Sequence, residues 1–356
     1  MSKLKFAILG CGRISSKHVE ALVNNFPEAE LVAACDIMEE RAKKCVDQYI
    51  SLINEKSQHA NDGVAISLDV ERRALRDVNY YIDYEEMIRK EDIDIVAIAT
   101  ESGYHAKHSI DCLNANKHVL VEKPMALSSI DADKMIKLAK KKGLKLGVCH
   151  QNRFNPPIQK LRKAIEEGRF GKIVNGTARI LWNRNNDYYK QAPWRGTKAL
   201  DGGTLMNQCI HNIDLLQWMM DSEVERVYSE RGTFLRNIEM EDFGAILIRF
   251  KNGAIGIVEG SACVYPKNLE ETLSIFGEKG TVVIGGLAVN EVKTWMFEEQ
   301  KDYDEEHDNI DINNVYGEGH IQLYKDFINA INNNTEPLIN GEEGRKAMEI
   351  VLSAYK

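Results

Sequence analysis

The feature that most constrains this chain is the way its first apolar run ends. The segment 4-LKFAILG-10 reads as a buried strand, 10-GCGRIS-15 follows directly, and helical spacing begins over 15–25. A glycine at 10 permits a tight turn. A glycine at 12 lets an anion approach the backbone at a helix N-terminus, where free N–H groups and the helix dipole favour negative charge. The third position of this fingerprint is Ser15 in place of glycine or alanine, still small enough for close helix–strand packing. A lone G-x-G-x-x-[GAS] arises often in turns, so its context decides. Here a strand precedes it, a helix follows it, and a second strand, 30-ELVAACD-36, ends on Asp36 about 20 residues further on. An acid at that place accepts from a ribose 2′-OH and repels a 2′-phosphate, so NAD is expected rather than NADP. Arg13 and Arg41 are the side chains that could pair with a phosphate instead. Gly10, Gly12, Arg13, Ile14 and Asp36 are the candidate cofactor residues of this turn.

The first 150 residues alternate strand-like and helix-like segments. After the two strands above come DIDIVAIAT (92–100), a helix near 104–115, HVLVEKP (118–124), a helix over 128–143 that stops at Gly143, and KLGVCHQ (145–151). Runs of this kind suit a doubly wound parallel sheet, buried on both faces by helices. Ligands of such sheets sit at the carboxyl ends of the strands, which adds Thr100, His105, Glu122 and Lys123 to the candidates. His105 and His108 have H-x-x-H spacing but no third ligand, so no metal is expected. The stretch 50–78 exceeds what the alternation needs and reads as an insertion. A surface excursion or subunit contact is the simpler meaning, and a substrate lid the sharper one.

After residue 150 the texture changes. A helix over 156–171 starts on proline, a strand follows at 172–182, and 183–203 is irregular, aromatic and basic. GTLMNQCIHNIDLLQWMM (203–220) reads as one helix, and strands follow at 224–235, 241–250, 253–262, 271–277, 280–284 and 289–298. Turns such as 251-KNGA-254 and 277-GEKG-280 read as hairpins. This predicts an α+β second domain over 151–356 with a large open, mainly antiparallel sheet, beside an NAD-binding Rossmann domain over 1–150. The segments 319–333 and 341–355 read as helices, the last a candidate to pack back on the first domain.

The chain has 356 residues, enough for two domains, because single cores stop growing near ~250–300 residues. A net charge of −8 leaves no basic footprint for nucleic acid. The seven cysteines form no C-x-x-C pair, which fits a reducing, cytoplasmic setting. No segment approaches the ~20 apolar residues of a membrane span, and the N-terminal run is too short for a signal peptide.

The motifs G-x-G-R at 10–13, Asp36, T-x4-H at 100–105, EKP at 122–124 and 202-GGTLMNQCIHNID-214 together resemble the glucose–fructose oxidoreductase, inositol dehydrogenase and MocA (Gfo/Idh/MocA) family over nearly the whole chain. The resemblance implies oxidation or reduction of a secondary hydroxyl or imine, most often on sugars or cyclitols. It also implies that Lys123 and His211 flank the reacting carbon. Many members carry aspartate four residues before that histidine; here the position is Asn207, which can orient a hydroxyl but cannot take its proton. A spacing of four would set Asn207 and His211 on one helix face. The base is therefore His211 or Lys123. Histidine has a suitable pKa unperturbed, whereas lysine needs desolvation or a nearby positive charge.

The stretches 152–173 and 188–219 resemble, more narrowly, dehydrogenases acting on UDP-N-acetylglucosamine-derived uronic acids. These oxidise the sugar C3 hydroxyl to a ketone for a partner aminotransferase, in surface polysaccharide biosynthesis. Such a substrate needs stacking faces and anion partners, and Arg153, Tyr189, Trp194 and Arg195 are the expected contacts, with Asn207. Two rivals stand beside this reading: an inositol or simple aldose dehydrogenase of the same family, and a regulator that binds NAD and a sugar without turnover. An open sheet face predicts a homodimer or homotetramer.

Overall fold

In a computed structural model of the chain, residues 3–59, 78–305, 309 and 319–356 are described. They form two compact units.

The first unit comprises Met1–Met125, Ile130–Cys149 and His320–Glu342. Its sheet runs β3-β2-β1-β4-β5-β6, with every strand pair parallel. The strands are β1 (Leu4–Leu9), β2 (Ala29–Cys35), β3 (Asn79–Tyr81), β4 (Ile95–Ile98), β5 (His118–Val121) and β6 (Leu146–Val148). This is the doubly wound order that reverses between β1 and β4. Phe6, Ile8, Ile95, Val96, Ile98, Val119 and Val121 lose all their exposure. Each such side chain contributes roughly 1.5–3 kcal/mol on burial, so these short runs are apolar throughout rather than alternating.

The helices of this unit are α1 (Ser15–Asn24), α2 (Glu39–His59), α3 (Tyr84–Lys90), α4 (His105–Asn114) and α5 (Ser129–Lys142). Part of the expected insertion is thus the end of α2, and its remainder, 60–77, lies outside the described residues. A late helix, Gly319–Asn332, also belongs here from His320 onward. Its Tyr324 ring stacks on Phe6 with centroids 5.3 Å apart.

The second unit comprises Ala126–Ser129, His150–Gly319 and Glu343–Lys356. Its seven strands run β13-β12-β11-β7-β10-β9-β8. They are β7 (Ile173–Leu181), β8 (Val224–Gly232), β9 (Phe243–Phe250), β10 (Ile255–Ser261), β11 (Glu270–Gly277), β12 (Gly280–Gly285) and β13 (Glu291–Phe297). All neighbours are antiparallel except β7 and β10, which pair in parallel at the centre. Against one face lie α6 (Pro156–Glu166), α8 (Thr204–Asn207) and α9 (Ile210–Met219). Strand glycines let these helices settle close. A Cβ at Gly260 would stand 2.6 Å from Cys209 Sγ, at Gly244 2.7 Å from Leu205, and at Gly176 2.8 Å from Leu216.

Two expectations are corrected here. The span 203–220 is not one helix: α8 ends at Asn207 and α9 begins at Ile210. The Thr204 carbonyl accepts from both Gln208 N at 2.9 Å and Cys209 N at 3.1 Å, which widens the turn and breaks the helical register. The irregular stretch 183–203 holds a short helix, α7 (Asn186–Lys190), whose Asn185 cap accepts from Tyr188 N at 3.0 Å. The C-terminal helix α11 (Gly341–Ala354) groups mostly with the second unit, from Glu343 onward; α10 denotes the helix Gly319–Asn332 before it. No described helix is long and apolar enough to cross a membrane.

Candidate active site

The turn after β1 is built by backbone proximity. Gly10 has φ +96°, and a Cβ there would stand 2.6 Å from the Ala99 carbonyl and Thr100 nitrogen at the end of β4. Only glycine fits that approach. At Gly12 the reverse holds: a Cβ would meet nothing within 4 Å, so the backbone faces open space where a pyrophosphate can come close. Ile14 is the N-cap of α1, makes no side-chain cap, and leaves this end to the backbone; Ser15 gives its hydroxyl to the Gly12 carbonyl at 2.7 Å. Arg13 is exposed. Asp36 is buried at the end of β2 and accepts the backbone N–H of Cys11 and of Met38, both at 2.8 Å. Each carboxylate oxygen has one backbone donor and lone-pair capacity for a ribose hydroxyl. Open backbone at Gly12 and a fixed acid at Asp36 fit a dinucleotide.

The ends of β4 and β5 are tied together by His105. Its Nδ1 lies 2.7 Å from the Pro124 carbonyl and its Nε2 2.9 Å from the Thr100 carbonyl, and the ring is buried. His105, expected as a cofactor contact, lies between two strand-end carbonyls, and a neutral ring can donate to one of them at a time. Burial pushes its pKa down, against these two carbonyls. The Thr100 hydroxyl meets His108 Nδ1 at 3.1 Å, and burial brings His108 down to about 4. His108 is half-buried beside the Tyr84 and Tyr104 rings.

Glu122 also differs from its expected role at the cofactor. It is buried, its Oε1 lies 3.2 Å from the Nε2 atoms of both His18 and His320, and its Oε2 accepts the Lys123 N–H at 3.2 Å. It faces inward. Lys123 is half-buried and precedes Pro124 through a cis peptide bond.

In the second unit, polar and aromatic groups converge around Gln208. Its Oε1 accepts from Arg184 Nε at 2.9 Å, and its Nε2 donates to the Tyr188 hydroxyl at 3.1 Å and to Asn207 Oδ1 at 2.6 Å. Arg195 donates to the same Tyr188 hydroxyl at 2.5 Å and lies over the rings of Tyr188 and Trp194. Asn207 donates to Asp201 at 2.5 Å, and Asp201 also accepts from Gly196 N at 2.6 Å. Tyr189 packs edge-on against Tyr188 with centroids 5.2 Å apart. Two guanidiniums, three aromatic rings and an amide pair therefore share one half-buried patch. That chemistry suits an anionic ligand with a planar base or ring. Gln208 and Asp201, which tie this patch together, were not singled out in the sequence. Their signal was the polar texture of 183–208 itself.

His211, half-buried at the start of α9, meets His150 edge-to-face at 5.6 Å. It shares no continuous helix with Asn207, so the one-face argument fails. Arg153 is the larger departure. Expected to touch substrate, it is fully buried, with Nε and Nη2 donating to the Asp214 carboxylate at 2.7 and 2.6 Å and Nη1 to Glu343 at 3.1 Å. Its planar fork is spent on a buried partner.

Comparison with known proteins gives consistent relationships. Residues 4–150 match the family model described as an oxidoreductase family with an NAD-binding Rossmann fold, and 158–283 match the GFO/IDH/MocA C-terminal domain. The chain is similar to the crystal structure of the WlbA dehydrogenase from Bordetella pertussis in complex with NADH and UDP-GlcNAcA (TM-score 0.85, 35% identity, covering 99% of this chain and 94% of that one). The corresponding complex from Chromobacterium violaceum is similar at TM-score 0.85 and 37% identity, over 99% and 93% of the two chains. Among curated proteins, the myo-inositol 2-dehydrogenase of Thermotoga maritima is 27% identical over 361 residues, 99% of this chain and 96% of that protein.

Proposed function

The chain belongs to the Gfo/Idh/MocA oxidoreductase family and is an NAD-dependent dehydrogenase, and from that premise we propose that it oxidises the C3 hydroxyl of a UDP-N-acetylglucosaminuronate-type nucleotide sugar to the 3-keto sugar. The observation that carries this reading is the likeness, at 35% and 37% identity, to two dehydrogenases crystallised with NADH and UDP-GlcNAcA. The patch of Arg184, Tyr188, Tyr189, Trp194, Arg195 and Gln208 supports it, since a uridine diphosphate and a uronate offer a ring to stack and anions to pair.

The bound cofactor would accept a hydride from C3. The protein's part is to hold the sugar and move one proton. As the C3–H bond breaks and C=O forms, one of Lys123 and His211 takes the hydroxyl proton, and the other donates a hydrogen bond to the same oxygen. Gly12 and Asp36 would hold the pyrophosphate and adenosine ribose. The seven cysteines are all free thiols, which is consistent with a cytoplasmic enzyme of nucleotide-sugar and surface polysaccharide synthesis.

A second reading, inositol oxidation, is favoured by the full-length 27% identity to a myo-inositol 2-dehydrogenase. Thermal shift separates the two. With NAD present, UDP-GlcNAcA is expected to raise the melting temperature by several degrees, because a ligand that binds only the folded state at ~100 times its Kd adds about 2.7 kcal/mol. A shift with myo-inositol and none with any UDP-sugar would reverse the assignment. A shift with UDP-sugar but no NADH formation would favour a non-catalytic regulator.

We also propose a homo-oligomer, dimer or tetramer, formed through the second sheet. Tyr228, Leu247 and Ile257 lie side by side across β8, β9 and β10 on the face away from the helices, at 60%, 46% and 42% exposure. An apolar row of that kind marks a contact surface. Light scattering should give a multiple of the 40.4 kDa chain mass. Leu247→Lys with Ile257→Lys should lower that mass, and a monomeric wild type would refute the idea.

A further inference from the structure

Three side chains that bind transition metals well come together inside the first unit. His18 on α1, Glu122 at the end of β5 and Cys149 just past β6 each bring one ligand atom within 4.8 Å of the other two. All three are buried, His18 and Cys149 fully so. Among the described residues no other three His, Cys, Asp or Glu side chains meet in this way. They lie far apart along the chain, so no spacing motif announces them. The sheet fixes two of them from behind. The Glu122 N–H donates to the Ile98 carbonyl at 2.8 Å, and the Cys149 N–H donates to the Val121 carbonyl at 2.9 Å.

His18 carries the argument furthest. Its Nδ1 lies 2.7 Å from the Tyr324 hydroxyl of α10. Its Nε2 stands 3.2 Å from Glu122 Oε1 but outside hydrogen-bond geometry, and among the described residues it has no hydrogen-bond partner. Neither tautomer resolves this. With the proton on Nδ1, given to the Tyr324 oxygen, a bare Nε2 lone pair confronts a carboxylate. With the proton on Nε2, a buried N–H goes unpaired, which native interiors rarely leave. A cation held between Nε2 and Oε1 answers the first case directly. A metal-bound histidine commonly donates its other ring N–H to a neighbour, and Tyr324 is placed to accept it. Glu122 is oriented as well, since its Oε2 accepts the Lys123 N–H at 3.2 Å.

We propose that His18, Glu122 and Cys149 form a buried structural zinc site. A mixed nitrogen, oxygen and sulfur set suits zinc, whereas magnesium and calcium take oxygen ligands. Nitrogen and oxygen ligands at ~2.0–2.1 Å from a tetrahedral zinc stand ~3.3 Å apart, close to the 3.2 Å between His18 and Glu122. A zinc–sulfur bond of ~2.3 Å asks for ~3.6 Å between Sγ and the other ligand atoms, so Cys149 closes in by about 1.2 Å at most. His320 Nε2 of α10 stands at the fourth side, 3.2 Å from the same Glu122 oxygen, with its ring centroid 5.4 Å from that of His18. Burial, then the Glu122 charge and hydrogen bond, push the Cys149 thiol well above its ordinary value, so it meets the metal protonated. On binding, its S–H bond is replaced by an S–Zn bond and the proton leaves to solvent. No electron moves, because zinc is redox-inert. With its ligands buried, the ion ties α1, which follows the Gly12 turn, to the ends of β5 and β6.

The test uses metal alone. The untagged full chain is produced in medium supplemented with zinc, and separately with cobalt, and loose metal is removed on a chelating resin. Elemental analysis of the wild type should find about one metal ion per chain. The cobalt form should show the visible bands of a tetrahedral site and a thiolate-to-cobalt band in the near ultraviolet. X-ray absorption at the zinc edge should find one sulfur among nitrogen and oxygen neighbours. In Cys149→Ser the sulfur signal and the ultraviolet band should vanish, and both Cys149→Ser and His18→Gln should lower the metal content at least about tenfold. A wild type that holds less than about a tenth of an ion per chain from either medium would overturn the proposal. So would bound metal without a sulfur neighbour, or a Cys149→Ser chain that keeps both its metal and the thiolate band. Where neither variant folds, the metal content and sulfur signal of the wild type decide. No cofactor or sugar is added, so this result and the UDP-sugar reading can fail separately.

Discussion

Replacing Lys123 by alanine should lower kcat/KM by about a hundred- to ten-thousand-fold, and His211→Ala should do the same, since a positioned acid or base is worth that much to proton transfer. The two losses are not expected to multiply. Groups that act on one oxygen as a unit lose most of their effect when either is removed, so the double variant should resemble the worse single one. The split between kcat and KM distinguishes the roles. A residue that only binds the ground state raises KM, whereas one that acts in the transition state lowers kcat and kcat/KM together. NADH binding, followed by fluorescence, should survive in His211→Ala because Gly10, Gly12 and Asp36 are untouched. Full activity in both single variants would remove the pair from the mechanism.

The parts of this site that the sequence disclosed are those fixed by local chemistry. Gly10 and Gly12 are legible because a strand, a tight turn and a helix N-terminus leave few residue types that fit. Asp36 is legible because it ends an apolar run at a set distance. Five strands of the first sheet are legible because burial makes them largely apolar; the sixth, β3, is an exposed edge strand of three residues and carries no such signal. What stayed hidden depends on partners far along the chain. Glu122 looks like a cofactor ligand until His320, 198 residues away, and His18 are seen around it. The contacts of His105 with the Pro124 and Thr100 carbonyls are likewise not written in its motif. The break between α8 and α9 carries no glycine or proline to announce it; it comes from one carbonyl accepting two N–H groups. The parallel pairing of β7 with β10 is likewise invisible to a reading that joins strands by hairpins. Local pattern discloses where strands end and turns open, and long-range pairing decides which side chains are enclosed there.

Arg153 is where that difference has its largest energetic consequence. Arg153→Met should destabilise the protein by roughly 3–5 kcal/mol, the usual cost of leaving one member of a buried ion pair alone. The guanidinium and Asp214 are both fully buried, the pair is bidentate, and Arg153 also lies over the Trp218 ring with 4.8 Å to its centroid. A substrate-binding arginine would behave otherwise: its loss would raise KM and leave the unfolding midpoint in place. The pH dependence adds a second signature. Burial alone would raise the Asp214 pKa, but the Arg153 charge outweighs it and holds the carboxyl below its ordinary value. A depressed folded-state pKa contributes stability that is present above the unfolded value of ~3.9 and is lost as pH falls through the folded one. Without Arg153 the buried Asp214 favours its protonated form, so the deficit should be greatest near neutral pH and shrink in acid. Replacing both partners by apolar side chains, Arg153→Met with Asp214→Leu, should recover much of the loss, because no fully buried charge is left alone and Glu343 keeps its pair with Lys346. Urea unfolding of the wild type, the single variant and the double variant at neutral and acidic pH tests this. A single variant as stable as the wild type would return Arg153 to the list of substrate contacts.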